Sequence, residues 1–255
     1  MKIFLIFVSL IASIIAANVR SGGKIVGGIE VPIENVPYQV SVRYNNYHTC
    51  GGSIISSSFI LTAQHCTSGR TAGYLTVRAG SNSSINGGEI FQVSKIIPHP
   101  NFNEYSLDYD FSLLKLTNAI VLDGITKDKV QLPTQDEILA KGIAMFVSGW
   151  GATLNPNQST SILRGVTITS IDFDTCNLIY LRDGGLGASQ ICAGELAGGK
   201  DSCYGDSGGP MVSLAGTRKL YGVVSWGIDC ALPGWPGVYA RVSLVRNWID
   251  ENTKV

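Results

Sequence analysis

From residue 25 onward the chain sets short apolar, β-branched runs between clusters of Gly, Pro, Asn and Ser that recur about every ten residues. Gln39 to Tyr44, Ser53 to Ile55, Phe91 to Ile97 and Leu220 to Val224 are such runs, each of strand length. This spacing predicts a β-sandwich or barrel and not a succession of βαβ units. The pattern changes in two places. From Thr117 to Gln135 Asp, Lys, Pro and Thr follow one another without alternation, which reads as the connection between two β halves of similar size. At the end, Ser243 to Asn252 brings Leu244, Val245, Trp248 and Ile249 to helical intervals, predicting a C-terminal amphipathic helix docked on the body of the fold.

The first residues follow another pattern. Lys2 precedes an apolar stretch from Ile3 to Ile15 and the small pair Ala16 and Ala17, the layout of a secretory signal peptide over 1–17. The stretch is short for a membrane span, and no charged stop-transfer flank follows it, which disfavours an uncleaved anchor. The reading is therefore a secreted, extracellular protein without a membrane segment. In that setting Cys50, Cys66, Cys176, Cys192, Cys203 and Cys230 are expected as disulfides, although their order does not fix the pairing. No C-x-x-C spacing points to a metal site.

Composition adds exclusions. With 255 residues, 45% hydrophobic and only 15% charged, the chain can bury a core and is not disordered. Nineteen Lys plus Arg balance 19 Asp plus Glu, so neither a nucleic-acid partner nor an acidic tail is indicated.

Candidate chemistry starts at Gly205-Asp206-Ser207-Gly208-Gly209-Pro210. A Ser among glycines can occupy a tight turn where its oxygen is uncrowded and backbone N–H groups can face a developing oxyanion. Alone this is no more than a turn, but two partners accompany it. Leu61-Thr62-Ala63-Gln64-His65-Cys66 places a His beside a Cys, and Asp108-Tyr109-Asp110-Phe111 runs an Asp into an apolar strand. A Ser hydroxyl becomes nucleophilic only when a base takes its proton, and imidazole suits that task near neutral pH. The chain has three His. His99, between Pro98 and Pro100, reads as a solvated loop residue, and His48 as structural, with a zymogen role in holding Asp206 as a further option. Asp108 competes with Asp110 for the acid's place but lies further from the apolar run.

From Ile25-Val26-Gly27-Gly28 through the His, Asp and Ser segments to the C-terminus, the chain resembles the trypsin-like branch of the chymotrypsin-fold serine proteases. The resemblance implies an all-β fold of two packed antiparallel six-stranded β-barrels with a C-terminal α-helix, in a protease domain over 25–255. It implies His65 as general base and acid, Asp110 as its orienting partner, Ser207 as nucleophile, and the N–H groups of Gly205 and Ser207 as the oxyanion hole. It also implies the pairs Cys50–Cys66, Cys176–Cys192 and Cys203–Cys230. Asp201 would stand at the base of the primary pocket, where its buried carboxylate gains from a substrate Lys or Arg. Ser202 and the stretches Ser225-Trp226-Gly227 and Pro236-Gly237-Val238-Tyr239 would line that pocket, Gly227 and Gly237 leaving room for a long side chain. Chymotrypsin-like or elastase-like specificity is the alternative, and Asp201 with Gly237 argues against it.

By the same resemblance Lys24-Ile25 is the activation bond, 18–24 the activation propeptide, and Asp206 the acceptor of the freed Ile25 amine. Loss of residues 1–24 removes Lys2, Arg20 and Lys24, leaving 16 basic against 19 acidic residues, a net charge of −3 before the new amine. Partners implied are proteins and peptides with Lys or Arg at the cleavage site and protein protease inhibitors, the enzyme acting as a monomer without cofactor. Three positions depart from the pattern: Gln64 stands where a small residue is usual, Asp229 where many relatives have Gly, and Gly80-Ser81-Asn82-Ser83-Ser84 lacks the acid that opens a calcium loop, so no metal is expected. Asn82-Ser83-Ser84 and Asn157-Gln158-Ser159 match the N-glycosylation acceptor.

Overall fold

The computed structural model describes residues 25–153 and 158–255; the signal-peptide and propeptide expectations, Lys24 and Asn157 lie outside them. A short strand β1 (Ile29–Glu30) precedes six that close on themselves: β2 (Gln39–Tyr44), β3 (Tyr47–Ser56), β4 (Phe59–Thr62), β5 (Leu75–Ala79), β6 (Glu89–Pro98) and β7 (Ser112–Leu116). Their order is β2-β3-β4-β7-β6-β5, with β5 returning to β2. The chain then crosses to a second set: β8 (Ala144–Gly149), β9 (Arg164–Ile171), β10 (Gln190–Gly194), β11 (Pro210–Ser213), β12 (Leu220–Trp226) and β13 (Gly237–Arg241). These close as β8-β9-β10-β13-β12-β11, and β1 lies on the outer side of β9. The fold is thus two closed six-stranded antiparallel barrels. Closure leaves neither barrel with a free edge.

Local sequence explains the elements. β2 and β3 are joined by Asn45 and Asn46 at φ 50° and 70°, the left-handed pair that a two-residue hairpin requires and that Asn tolerates best among non-Gly residues. β6 alternates, with Phe91 and Val93 buried and Gln92 and Ser94 exposed, because its outer face meets solvent. β3 does not alternate: Cys50 through Ile55 are all buried, since one face fills the first barrel and the other meets the second. There the barrels touch glycine to glycine. A Cβ on Gly51 would stand 2.7 Å from the Gly209 Cα. Nearby, fully buried Ser148 donates to Gln39 Oε1 at 2.6 Å, satisfying both polar groups across the seam.

Two helices complete the fold. α1 (Phe173–Tyr180) is capped by Asp172, whose Oδ1 accepts from the Thr175 N–H at 3.0 Å. A tight helical turn at Val242–Val245 leads into α2 (Arg246–Thr253), which places Val245 and Ile249 in the core that includes the first barrel. The C-terminal helix therefore begins as a tight turn before the α-helix proper. Among the described residues no helix is long and apolar enough to cross a membrane.

Candidate active site

β4 delivers His65 and β7 delivers Asp110. Just past β4, Cys66 is bonded to Cys50 on β3, so the imidazole is tethered one residue from a disulfide. Asp110, immediately ahead of β7, is fully buried. Its Oδ2 lies 2.7 Å from His65 Nδ1 and accepts from Ser225 Oγ at 2.6 Å, while Oδ1 accepts from the His65 backbone N–H at 2.9 Å. A carboxylate can only accept, so Nδ1 carries the proton and Nε2 keeps a lone pair. Cys50, His65 and Cys66 also form a compact His/Cys cluster, but both sulfurs are spent in the disulfide and offer no thiolate to a metal.

The Ser207 loop comes from the other barrel. Gly205 at φ 95° and Gly208 at φ 78° permit the sharp turn. Ser207 O accepts from the Gly51 N–H at 2.7 Å, and a Cβ on Gly208 would stand 2.2 Å from Thr62 Oγ1. The loop is thus pressed against β3 and the end of β4, directly ahead of His65. Among the described residues neither the Gly205 nor the Ser207 N–H has a hydrogen-bond partner. His48 fixes the turn from behind: one ring nitrogen meets Ser41 Oγ at 2.7 Å, the other the Gly205 carbonyl at 3.1 Å. Burial holds the His48 pKa below its usual value, the Gly205 carbonyl opposing that effect.

Beside Ser207 opens a cavity of about 220 Å³, lined by Asp201, Ser202, Ser225, Trp226, Gly227 and Gly237 together with Cys203, Tyr204, Val224, Asp229 and Cys230. The Cys203–Cys230 bond joins its two walls. A Cβ on Gly227 would meet nothing nearer than the Asp229 carbonyl at 4.0 Å, whereas a Cβ on Gly237 would stand 2.8 Å from Asp201 Oδ1. Asp201 is almost wholly buried; it accepts from the Ala231 N–H at 3.1 Å and from Ser202 Oγ at 3.4 Å. Neutral donors from Ala231 and Ser202 do not replace hydration, so desolvation lifts its pKa to about 6. Tyr239, fully buried, places its hydroxyl 3.2 Å from Ser202 Oγ.

Asp206 is the second buried anion. Its Oδ1 accepts from the Gly151 N–H at 2.8 Å and Oδ2 from the Cys203 N–H at 3.0 Å. Gly149 and Gly151 make its cradle, since a Cβ on either would fall within about 2.5 Å of the carboxylate. Desolvation first, and the neighbouring Asp201 charge, push its pKa up to about 7 despite the two N–H bonds. Ile25 is buried in the second barrel's core with Met145, Val147 and Tyr239, and the Val26 carbonyl accepts from the Asp201 N–H at 3.1 Å.

Other residues singled out in the sequence fall as follows. Asp108 points away from His65, its Oδ1 accepting from the Ser189 N–H. His48 reaches Ser41 and Gly205, and the Asp206 oxygens are held by backbone N–H groups instead. His99 is not a solvated loop residue: it is buried, stacked on Tyr109 at 4.8 Å and met edge-on by Trp248, also at 4.8 Å. Burial lowers its pKa to about 4, the Asp108 charge acting against that shift. Gln64 is buried, with Oε1 unpartnered, and its carbonyl caps the turn through the Thr67 N–H. Asp229 is exposed at the cavity rim, its Oδ1 accepting from the Cys230 N–H at 2.7 Å. Two contributors went unread in the sequence: the Ser225 hydroxyl on Asp110 and the Gly149/Gly151 cradle. Only the Gly149-Trp150-Gly151 spacing carried a signal.

Comparison with known proteins adds independent support. The family model described as Trypsin matches residues 25–249. "Trypsin 5G1" of Aedes aegypti is 45% identical over 234 residues, covering 91% of this chain and 86% of that protein. "Trypsin" of Simulium vittatum is 41% identical over 222 residues, 85% of this chain and 88% of that protein. "Vitellin-degrading protease" of Bombyx mori is 36% identical over 229 residues, 90% and 85% respectively. With both barrels, His65 paired to a buried Asp110 and this match along nearly the whole described chain, the protein belongs to the trypsin family and is a serine endopeptidase.

Proposed function

We propose that the chain is the secreted zymogen of an endopeptidase that hydrolyses peptide bonds after Lys or Arg. The observation that carries the specificity is the Asp201 carboxylate at the base of a cavity that Ser207 also lines. A group with a pKa raised by desolvation regains its charged form when a cation joins it, so an ammonium or guanidinium is the side chain this cavity rewards. Gly227 leaves the passage open, and Gly237 keeps the carboxylate uncovered.

In this reading Ser207 Oγ attacks the scissile carbonyl carbon while His65 Nε2 takes its proton. The C–O bond forms, the carbonyl oxygen becomes an oxyanion, and the Gly205 and Ser207 N–H groups hold it. Asp110 stabilises the imidazolium. His65 then protonates the leaving nitrogen and the C–N bond breaks; in the second half water attacks the acyl carbon while His65 takes its proton, and the ring returns that proton to Ser207 Oγ as the ester C–O bond breaks and the acid leaves. Residues 1–17 act as signal peptide and 18–24 as propeptide. Cleavage of Lys24–Ile25 frees an amine that pairs with Asp206, replacing a buried, poorly compensated anion by an ion pair. The three disulfides support an oxidising, extracellular setting. Substrates are proteins and peptides, protein protease inhibitors are further partners, and the active form is a monomer.

Profiling a peptide library with protein carrying an Ile25 N-terminus tests the specificity. Cleavage after Lys and Arg, lost in Asp201→Ser, is the expected result; Arg-ester turnover that survives in Asp201→Ser overturns it.

A further inference from the structure

Asp108 precedes Asp110 by two residues yet serves another contact. Its Oδ1 accepts from the Ser189 N–H at 3.1 Å and also from Ser189 Oγ. The same hydroxyl accepts from the Tyr109 N–H at 2.6 Å, so the Ser189 hydroxyl both donates and receives within one closed loop of contacts. Ser189 is fully buried and belongs to the second barrel, just ahead of β10, where its carbonyl also accepts from the Arg241 N–H at 2.7 Å. Gly187 lets this segment close on Asp108: a Cβ there would stand 2.4 Å from the carboxyl group.

The backbone held by this contact is unusual. Leu107 and Tyr109 adopt φ 52° and 53°, a left-handed conformation unfavourable for both side chains. Such a segment keeps its shape only when its surroundings impose it. Asp110 follows directly, and its two oxygens must meet the His65 N–H, the His65 ring and Ser225 Oγ at once. We propose that Asp108 and Ser189 form a clasp between the barrels that imposes the left-handed turn and thereby aims Asp110 at His65. Both are positioning residues: neither touches substrate, and their effect passes through Asp110. The inference rests on the catalytic role given above to Asp110.

The test compares Asp108→Ala, Asp108→Asn and Ser189→Ala, each alone and on an Asp110→Asn background, with active-site titration to count folded enzyme. Because misplacing a catalytic group by about 1 Å costs up to ~100-fold in rate, Asp108→Ala should lower kcat at least tenfold with KM within about twofold. Asp108→Asn keeps an acceptor for Ser189 and should restore most of the rate. Added to Asp110→Asn, the Asp108→Ala change should cost nothing further, since the group it aims is already disabled. Ser189→Ala removes one hydroxyl and covers the case in which Asp108→Ala fails to fold. A kcat unchanged in both Asp108→Ala and Ser189→Ala overturns the clasp, as does a loss that persists in full on Asp110→Asn. If Asp110→Asn itself leaves kcat intact, the catalytic reading fails instead.

Discussion

Asp110 combines full burial with three hydrogen-bond donors, two of them from His65 and one from Ser225 in the opposite barrel. That geometry selects one imidazole tautomer, and Asp110→Asn should reverse the selection by presenting an N–H where an acceptor is needed. The expected loss is about 10⁴-fold in kcat with KM little changed, measured on an Arg ester. Asp201 gives a pH dependence. Its pKa is raised to about 6 in the free protein, and a bound cation favours the charged carboxylate. Binding of a small amidinium to the Ser207→Ala protein, read by calorimetry, should therefore be full above pH 7 and weaken as pH falls through about 6, with proton release on binding. Single residues were unevenly legible in the sequence. His65, Asp110 and Ser207 sit in short motifs whose residue types state their chemistry. His99 did not: its flanking prolines favour a loop, but Tyr109 and Trp248, ten and 149 positions away, bury it. Burial by residues so far along the chain leaves no local trace.

At the level of elements, short β-branched runs bounded by turn residues marked β2, β3, β6 and β12, although only β6 alternates; β2, β3 and β12 are largely buried on both faces. α1 left a weaker signal, since an eight-residue helix with only Cys176 and Tyr180 buried offers one i,i+4 pair. The Asp172–Thr175 cap is the feature that could have found it. The cavity is an element-level construction too. β12 and β13 pair across it, with a register shift between Val224 and Trp226 that opens the wall at Ser225. Gly237 begins β13 directly over Asp201, so Gly237→Val should fill the space beside the carboxylate. That variant should lose at least ~100-fold in kcat/KM toward Arg and Lys substrates while fluorophosphonate titration still counts the full complement of sites.

On the scale of the whole molecule, each barrel holds half of the candidate site: His65 and Asp110 on one side, Ser207, Asp201 and Ser225 on the other. The linear sequence displays the order of these motifs. It does not display the seam at Gly51 and Gly209 that brings them together. The second barrel also carries two buried carboxylates, and Asp206, with its pKa raised to about 7, couples the fold to pH and, in the function proposed above, to activation. The folded uncut chain binds this proton more tightly than the unfolded one, so its stability should fall as pH rises from about 4 to about 7. The proposed pairing of an Ile25 amine with Asp206 should remove that penalty. In the Ser207→Ala background, the melting temperature of the cut form should exceed that of the uncut form by more at pH 7.5 than at pH 5, which thermal scans in the two buffers will show. The central claim is that Ser207 is made nucleophilic by a base supplied from the other barrel. Mass-mapped fluorophosphonate labelling of protein cut at Lys24–Ile25 tests this directly: stoichiometric label on Ser207, abolished by His65→Ala, is expected, and label absent, or lodged on another residue, overturns it.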